Sequence, residues 1–376
     1  MKAKQLYRKI HLWLSVPLGI IITITCFSGA TMVYEKEITE WWQNDLYSVK
    51  EVKAKPLPID SLMRLAEAAL PGGVRITGLT VASDRECTYR VNLSKPRRAA
   101  LFIDQYSGEV KGKYRRLPFF DTMYRLHRWL LGSEKSAEGS MPAGRWLVGV
   151  STLALVFILL TGMLMWLANG HGAWKKGLCI SVTKGWGRFW HDLHVAAGIY
   201  VAIILLAIAL TGLTWSFSWY RTGFYAMFGV DAKVPGSMAR GGNAAVSYRH
   251  WQKLLEEIAE KNPDYRQMTI KDGVVTVVPK GRNNLMNADK YTYHKRSGEI
   301  TKVKRYDSES KATKLRSMVY MVHVGSWGGW ITRLITFLAA LLGATLPLTG
   351  YYLWLRRLLR KKQFSGENSV KMEKTV

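Results

Sequence analysis

Leu12-Trp-Leu-Ser-Val-Pro-Leu-Gly-Ile-Ile-Ile-Thr-Ile-Thr-Cys-Phe-Ser-Gly-Ala-Thr-Met-Val-Tyr34 contains no charged residue. As a helix, a stretch of this length crosses a hydrocarbon core of about 30 Å. Three more runs share its character: Trp146–Ala168, Val195–Trp219 and Leu334–Leu355. Trp13, Tyr34, Trp146, Trp166, Trp215, Trp219 and Trp354 stand near the ends of these runs, where amphipathic rings anchor at a membrane interface. Pro17 and Pro347 lie inside two of them, as membrane helices tolerate when neighbours re-satisfy the freed backbone groups. The first run is too long for the apolar core of a signal peptide. No small-x-small cleavage site follows before Tyr34-Glu35-Lys36, so it reads as a retained helix.

Averaging over the chain hides this pattern. The 376 residues carry 54 Lys+Arg against 27 Asp+Glu, a net charge of +27, with 48% hydrophobic residues. Such a balance suggests nucleic acid only if the charge is spread evenly. Here it is excluded from four long runs, and no nucleic-acid partner is expected. The N-terminus (Lys2, Lys4, Arg8, Lys9), the loop 169–194 (Lys175, Lys176, Lys184, Arg188, with Asp192 its one acid) and the tail from Arg356 are strongly basic. The long segments 35–144 and 220–333 mix many basic residues with many acids. The positive-inside rule puts both termini and the short loop in the cytoplasm and both long segments outside. The expected organisation is therefore a cytoplasmic N-terminus and first span (1–34), an external module with a membrane-proximal segment (35–144) and a second span (145–168). A cytoplasmic loop (169–194), a third span (195–219), a second external module (220–333), a fourth span (334–355) and a cytoplasmic tail (356–376) follow. Cys26, Cys87 and Cys179 fall in three different compartments of this scheme, which leaves no intramolecular disulfide and no cysteine-based cluster.

The chain is written twice. His11 precedes Gly29 of Ser28-Gly29 by eighteen residues, and His194 precedes Gly212 of Thr211-Gly212 by the same interval. Thr161-Gly-Met-Leu-Met-Trp-Leu167 echoes Thr349-Gly-Tyr-Tyr-Leu-Trp-Leu355, and Tyr124-Arg-Leu-His127 echoes Tyr320-Met-Val-His323. The predicted fold is a membrane α-helical protein with four transmembrane helices in two parallel repeats, each with an external α+β module. In the first module Ile59–Leu70 has helical spacing, and Arg75–Ala82, Thr88–Asn92 and Ala100–Asp104 read as strands before Tyr106-Ser-Gly-Glu-Val110. In the second, Tyr248–Ala259 is the helix, and Gly273–Val278 and Lys290–His294 are strands before Arg296-Ser-Gly-Glu-Ile300. Gly241-Gly242 marks a linker ahead of it.

Four histidines occupy equivalent positions in the duplicated unit. His11 and His194 sit at the cytoplasmic ends of the first and third spans, and His127 and His323 lie outside, ahead of the second and fourth. A twofold axis would bring two histidines together at each face, the arrangement that six-coordinate haem iron requires of its axial ligands. The layout reads as two stacked b-type haems per chain. Magnesium and calcium want carboxylate oxygen, and zinc wants four ligands, so neither suits two histidines alone. His191 lies one helical turn before His194 and is an alternative inner ligand; the shared eighteen-residue interval favours His194. Arg8 and Arg188 beside the inner pair, and Arg125, Arg128 and Arg333 near the outer pair, are candidates to hold haem propionates, since a guanidinium fork matches a carboxylate. No catalytic residue beyond the haem ligands is expected.

His11-Leu-Trp-Leu, Asp192-Leu-His-Val-Ala-Ala-Gly198, Leu126-His-Arg-Trp-Leu130 and Val322-His-Val-Gly325, together with the SGE-containing external modules, resemble the PepSY-associated transmembrane family from about Arg8 to Arg356. Ser15 departs from the glycine often found there. The resemblance implies a multi-pass protein of the bacterial inner membrane with periplasmic modules, similar to the di-haem ferric-siderophore reductases of that family. It implies His11, His127, His194 and His323 as axial ligands, and a ferric siderophore or other ferric chelate as substrate. It further implies contact with membrane lipid and an electron donor that is either quinol or a separate reductase. No nucleotide fingerprint or P-loop is present, so the donor is expected to be external. Two other readings remain open at this point. One is a cofactor-free sensor whose external modules bind peptides or regulate a peptidase. The other is a transporter that carries the ferric chelate inward.

Overall fold

The computed structural model describes residues 2–96, 99–132, 141–168, 170–231, 247–282 and 285–373. The expected linker at Gly241-Gly242 lies outside them. The helices are α1 (Lys2–Met32), α2 (Glu35–Trp42), α3 (Asn44–Tyr47), α4 (Ile59–Ala68), α5 (Pro118–Trp129) and α6 (Ala143–Leu167). They continue with α7 (His171–Gly177), α8 (Trp186–Ser216), α9 (Ser218–Ala226), α10 (Trp251–Lys261), α11 (Lys311–Val324) and α12 (Gly329–Glu373). The strands are β1 (Ile76–Ala82), β2 (Tyr89–Leu93), β3 (Ala100–Ile103) and β4 (Val110–Lys113), then β5 (Tyr265–Lys271), β6 (Val274–Pro279), β7 (Asp289–Tyr293) and β8 (Ile300–Lys304). These elements gather into two compact units, one from residues 1–33, 118–224 and 322–376 and the other from 34–117 and 225–321.

The first unit holds four helices long and apolar enough to cross a membrane, within α1, α6, α8 and the Ser326–Arg360 stretch that leads into α12. They pack with α1 against α6 and α12, and α8 against α6 and α12. Apolar helices gain little from one another's hydrophobicity in lipid, so small residues and buried hydroxyls must make the contacts. Ala196, Ala202, Ala209, Ala339 and Ala344 are buried at these faces. Around the two prolines, Tyr351 donates its hydroxyl to Val16 O at 2.6 Å, and Thr23 donates to Ala344 O at 3.0 Å. Backbone acceptors near Pro17 and Pro347 are thus satisfied from a neighbouring helix.

In the second unit all eight strands form one antiparallel sheet of order β4-β3-β2-β1-β5-β6-β7-β8. The sequence reading expects two separate modules and has no strand at 265–271. The structure corrects both points: β5 pairs with β1 from Gly78↔Lys271 to Ala82↔Gln267 and fuses the two segments into a single sheet. An unpaired β1 would expose a long edge of backbone donors and acceptors, and β5 removes that edge. One core unites the sheet with α4 and α10, through Leu62, Met63 and Ala66 from one helix and Trp251, Leu254, Leu255 and Ile258 from the other. These apolar positions recur at the three- and four-residue spacing that puts one helical face on a sheet. Each hairpin at the sheet's outer strands turns through an SGE triplet whose glycine, Gly108 (φ 76°) or Gly298 (φ 75°), takes the left-handed backbone.

The boundaries also differ from expectation. Residues 118–132, expected in the first external module, form α5 and its end within the helical unit, as do residues 220–224 and 322–333 expected in the second. Helix α8 starts at Trp186, well inside the expected loop 169–194. In residues 118–132, 186–194 and 322–333 a histidine on a polar-looking segment is drawn into the helical unit by the contacts described next, which hydropathy alone does not register.

Candidate paired-histidine site

The helical unit brings the four equivalent histidines together two by two. The rings of His11 and His194 have centroids 6.3 Å apart, nearly perpendicular at 85°. Those of His127 and His323 are 6.1 Å apart at 54°. An imidazole nitrogen sits about 2.0 Å from a ligated metal and about 1.1 Å from its own ring centre, so two imidazoles on one iron have centroids about 6.2 Å apart. Both pairs match that span. Among the described residues no group of three or more histidine, cysteine or carboxylate side chains is placed to hold a metal ion.

Each ring is held the same way, by a helix other than its own. His11 Nδ1 lies 3.0 Å from Ile158 O and 3.3 Å from Thr161 Oγ1, on α6. His194 Nδ1 lies 2.8 Å from Thr349 Oγ1, on α12. His127 Nδ1 lies 2.9 Å from Thr25 O on α1, and His323 Nδ1 lies 3.0 Å from Ile208 O on α8 with Thr211 Oγ1 at 3.4 Å. A carbonyl can only accept. The threonine hydroxyls already donate to their own helices, Thr161 to Phe157 O at 2.7 Å, Thr211 to Ala207 O at 2.7 Å and Thr349 to Leu346 O at 2.9 Å. Every partner of Nδ1 is therefore an acceptor, so Nδ1 carries the proton and Nε2 keeps its lone pair. A metal-ligating histidine is oriented in this way by its outer-shell acceptor. Burial holds His127 and His323 below the ordinary histidine range, His323 at about 4, and Arg128 pushes in the same direction; both rings are neutral, the form that ligates.

The glycines that mark the duplication have a physical task here. A Cβ on Gly29 would come within 2.9 Å of His127 Cε1, and one on Gly212 within 2.9 Å of His323 Cε1. Gly162 and Gly350 face the Cε1 atoms of His11 and His194 at 3.5 Å. The couplets Ser28-Gly29, Thr161-Gly162, Thr211-Gly212 and Thr349-Gly350 thus each cradle one ring: the glycine lets it lie against the helix, while that helix supplies the acceptor for Nδ1. In the sequence the couplets stand out as register marks, and their glycines as small residues that let helices or a porphyrin face come close. Trp215, expected as an interfacial anchor, instead packs its ring 5.0 Å from that of His323.

The other expected site residues fall differently. His191 is exposed and turns to Asp192, with Nδ1 3.2 Å from Oδ1; it does not join the His11–His194 pair. Asp192 is buried and also accepts from Arg188 Nε at 2.9 Å, so that guanidinium is engaged by the chain itself. Arg8 is exposed one turn before His11. Arg125 is exposed and donates to Leu131 O at 3.1 Å, and Arg333 donates to Val33 O. Arg128 lies over the rings of Tyr124 and Trp129, at 5.6 and 5.3 Å. Cys26, Cys87 and Cys179 are free thiols.

The Nδ1 acceptors make a testable distinction. His194 has the threonine hydroxyl as its nearest partner, whereas His323 has a carbonyl nearer than its threonine. Thr349→Val is expected to weaken haem binding at the inner pair by about 10–100-fold, the usual cost of removing an outer-shell partner, and Thr211→Val to change the outer pair by only a few-fold. Titration of each variant with haemin, followed at the Soret band, measures both.

No curated protein matches the chain. The histidines and couplets that build both pairs lie within residues 8–357, the span over which the chain matches the family model for the PepSY-associated TM region, and the protein belongs to that family.

Proposed function

We propose that this protein is a di-haem electron carrier of the bacterial cytoplasmic membrane that reduces ferric siderophores or other ferric chelates on the periplasmic side. The observation that carries the reading is the pair of facing imidazoles at each of two places, with Nδ1 occupied, Nε2 available and the separation that one iron between them needs. Bound haem supplies one-electron chemistry; the chain supplies ligation, burial and position. His11 and His194 hold the inner iron, and His127 and His323 the outer one. The Thr and Ser-Gly couplets fix ring angle and tautomer, and burial keeps the imidazoles uncharged. The two halves act as one unit duplicated about an axis along the membrane normal, which gives both pairs the same construction. Membrane quinol or a separate reductase would supply the electrons.

The sheet-bearing segments carry more basic than acidic residues. Anionic chelates are therefore drawn toward them, and the encounter rate falls as salt screens the field. The test begins with a reduced-minus-oxidised spectrum of the purified protein and a haem-to-protein ratio. Stopped-flow oxidation of the reduced protein by anionic and neutral ferric chelates follows, across ionic strength. Anionic chelates are expected to react faster at low salt and to lose that advantage at high salt. A colourless protein would leave the cofactor-free sensor as the better reading. A haem protein that no ferric chelate oxidises would overturn the reductase assignment alone.

A further inference from the structure

Three arginines stand at the ends of the apolar helices from which the chain runs into residues 225–321. Arg145 opens α6, Arg221 lies on α9 just past the end of α8, and Arg128 ends α5 immediately after His127. The placement is built rather than incidental. Gly144 is pressed so closely on the Trp129 carbonyl that no side chain would fit there, which locks the start of α6 to the end of α5. Arg145 Nη2 donates to the Trp215 carbonyl, and the Trp215 ring rests on His323. Arg128 and Arg221 are both near enough for their charges to act on Arg145. Arg128 directly follows His127 in α5, so the cluster borders the outer pair. The Nε of Arg221 is buried without a hydrogen-bond partner, and among the described residues none of the three arginines makes an ion pair.

This arrangement is costly as it stands. Like charges close together repel, and a buried guanidinium N–H without an acceptor forfeits its hydrogen bond to water. The positive-inside rule gives no reason for three arginines here, since these helix ends lie opposite those that face the basic loop and termini. An anion would remove every one of these costs, and a carboxylate fits guanidinium geometry by accepting paired N–H bonds.

We propose that Arg128, Arg145 and Arg221 form a carboxylate-binding site at the border of the outer histidine pair. The carboxylate comes from a propionate of the bound porphyrin or from an anionic ferric chelate, and only the first source rests on the haem reading.

The test uses the full-length protein in detergent with Arg145→Gln, Arg221→Gln and the corresponding lysine substitutions. In the first arm, apo-protein is titrated with haemin and with haemin dimethyl ester, which lacks free carboxylates. A porphyrin source predicts that the wild type prefers haemin at the outer pair by about tenfold or more, that the glutamine variants lose the preference, and that lysine restores part of it. Inner-pair binding is the internal control. In the second arm, thermal stabilisation by tricarballylate, an iron-free tricarboxylate, is measured in the same proteins. A chelate source predicts stabilisation of the wild type that the glutamine variants lose, with no preference between the two porphyrins. Absence of both effects, in variants whose inner pair still binds haemin, overturns the proposal. A protein that takes up no porphyrin at all removes the haem reading, yet the tricarballylate arm still decides for or against the arginine site.

Discussion

His127→Ala and His323→Ala are each expected to leave the purified protein with about one haem where the wild type holds about two. Each substitution removes one of the two imidazoles of the outer pair and leaves the inner pair, whose histidines lie on other helices, in place. His11→Ala and His194→Ala should do the converse. The two inner histidine candidates separate cleanly in this experiment. His194 faces His11 with its Nδ1 tied to Thr349, while His191 is exposed and tied to Asp192. His194→Ala is expected to abolish inner binding, and His191→Ala to leave the haem count unchanged. Haem-to-protein ratios from the pyridine haemochrome assay measure all five variants. A full complement in both His127→Ala and His323→Ala would show that the outer pair ligates nothing.

The second large effect comes from single methyl groups. Gly29→Ala and Gly212→Ala place a Cβ 2.9 Å from a histidine Cε1, inside the 3.5–4.0 Å at which carbon atoms pack comfortably. Neither side can give way easily, because the glycine is helix backbone and the imidazole is anchored through Nδ1 to a carbonyl on that same helix. The ring must shift by roughly half an ångström or more, at a cost of about 1–3 kcal/mol, which is roughly a 5–150-fold loss of haem affinity at the outer pair. Gly162→Ala and Gly350→Ala meet Cε1 at 3.5 Å, an ordinary contact, and should bind close to normally. All four changes gain the same helix propensity, so that term cancels in the comparison. Haemin titration of the four variants is decisive, and equal behaviour of the inner and outer glycines would refute the cradle.

Some of this architecture is plain in the residue string because its physics is additive along the chain. Transfer of a side chain into lipid depends mainly on the side chain itself, so a run such as Leu12–Tyr34 announces a membrane-crossing helix wherever it packs. The strands ending at the SGE turns are legible for a similar reason, since alternation and turn chemistry are local. Strand β5 was missed because Tyr265–Lys271 mixes polar and apolar residues without clean alternation. What stabilises it is the partner it finds in β1, far away in the chain.

The equivalence of His11 with His194 is read from their shared eighteen-residue interval to Gly29 and Gly212, and that of His127 with His323 from the echo of Tyr124-Arg-Leu-His127 in Tyr320-Met-Val-His323. Their facing partners, their tautomers and the choice of His194 over His191 belong to the tertiary structure. Each ring is fixed by an acceptor 102 to 155 residues away, on a helix whose rotation about its own axis no spacing rule specifies. The arginines divide in the same way. Arg128 stands out in the sequence by lying next to a histidine, whereas Arg145 is linked to the outer pair only through the close approach of Gly144 to Trp129 and its own bond to the Trp215 carbonyl. Hydropathy and repeat intervals are one-dimensional quantities and survive in the sequence. A hydrogen bond between two helices depends on their mutual packing, which is decided only when all the buried faces are satisfied together.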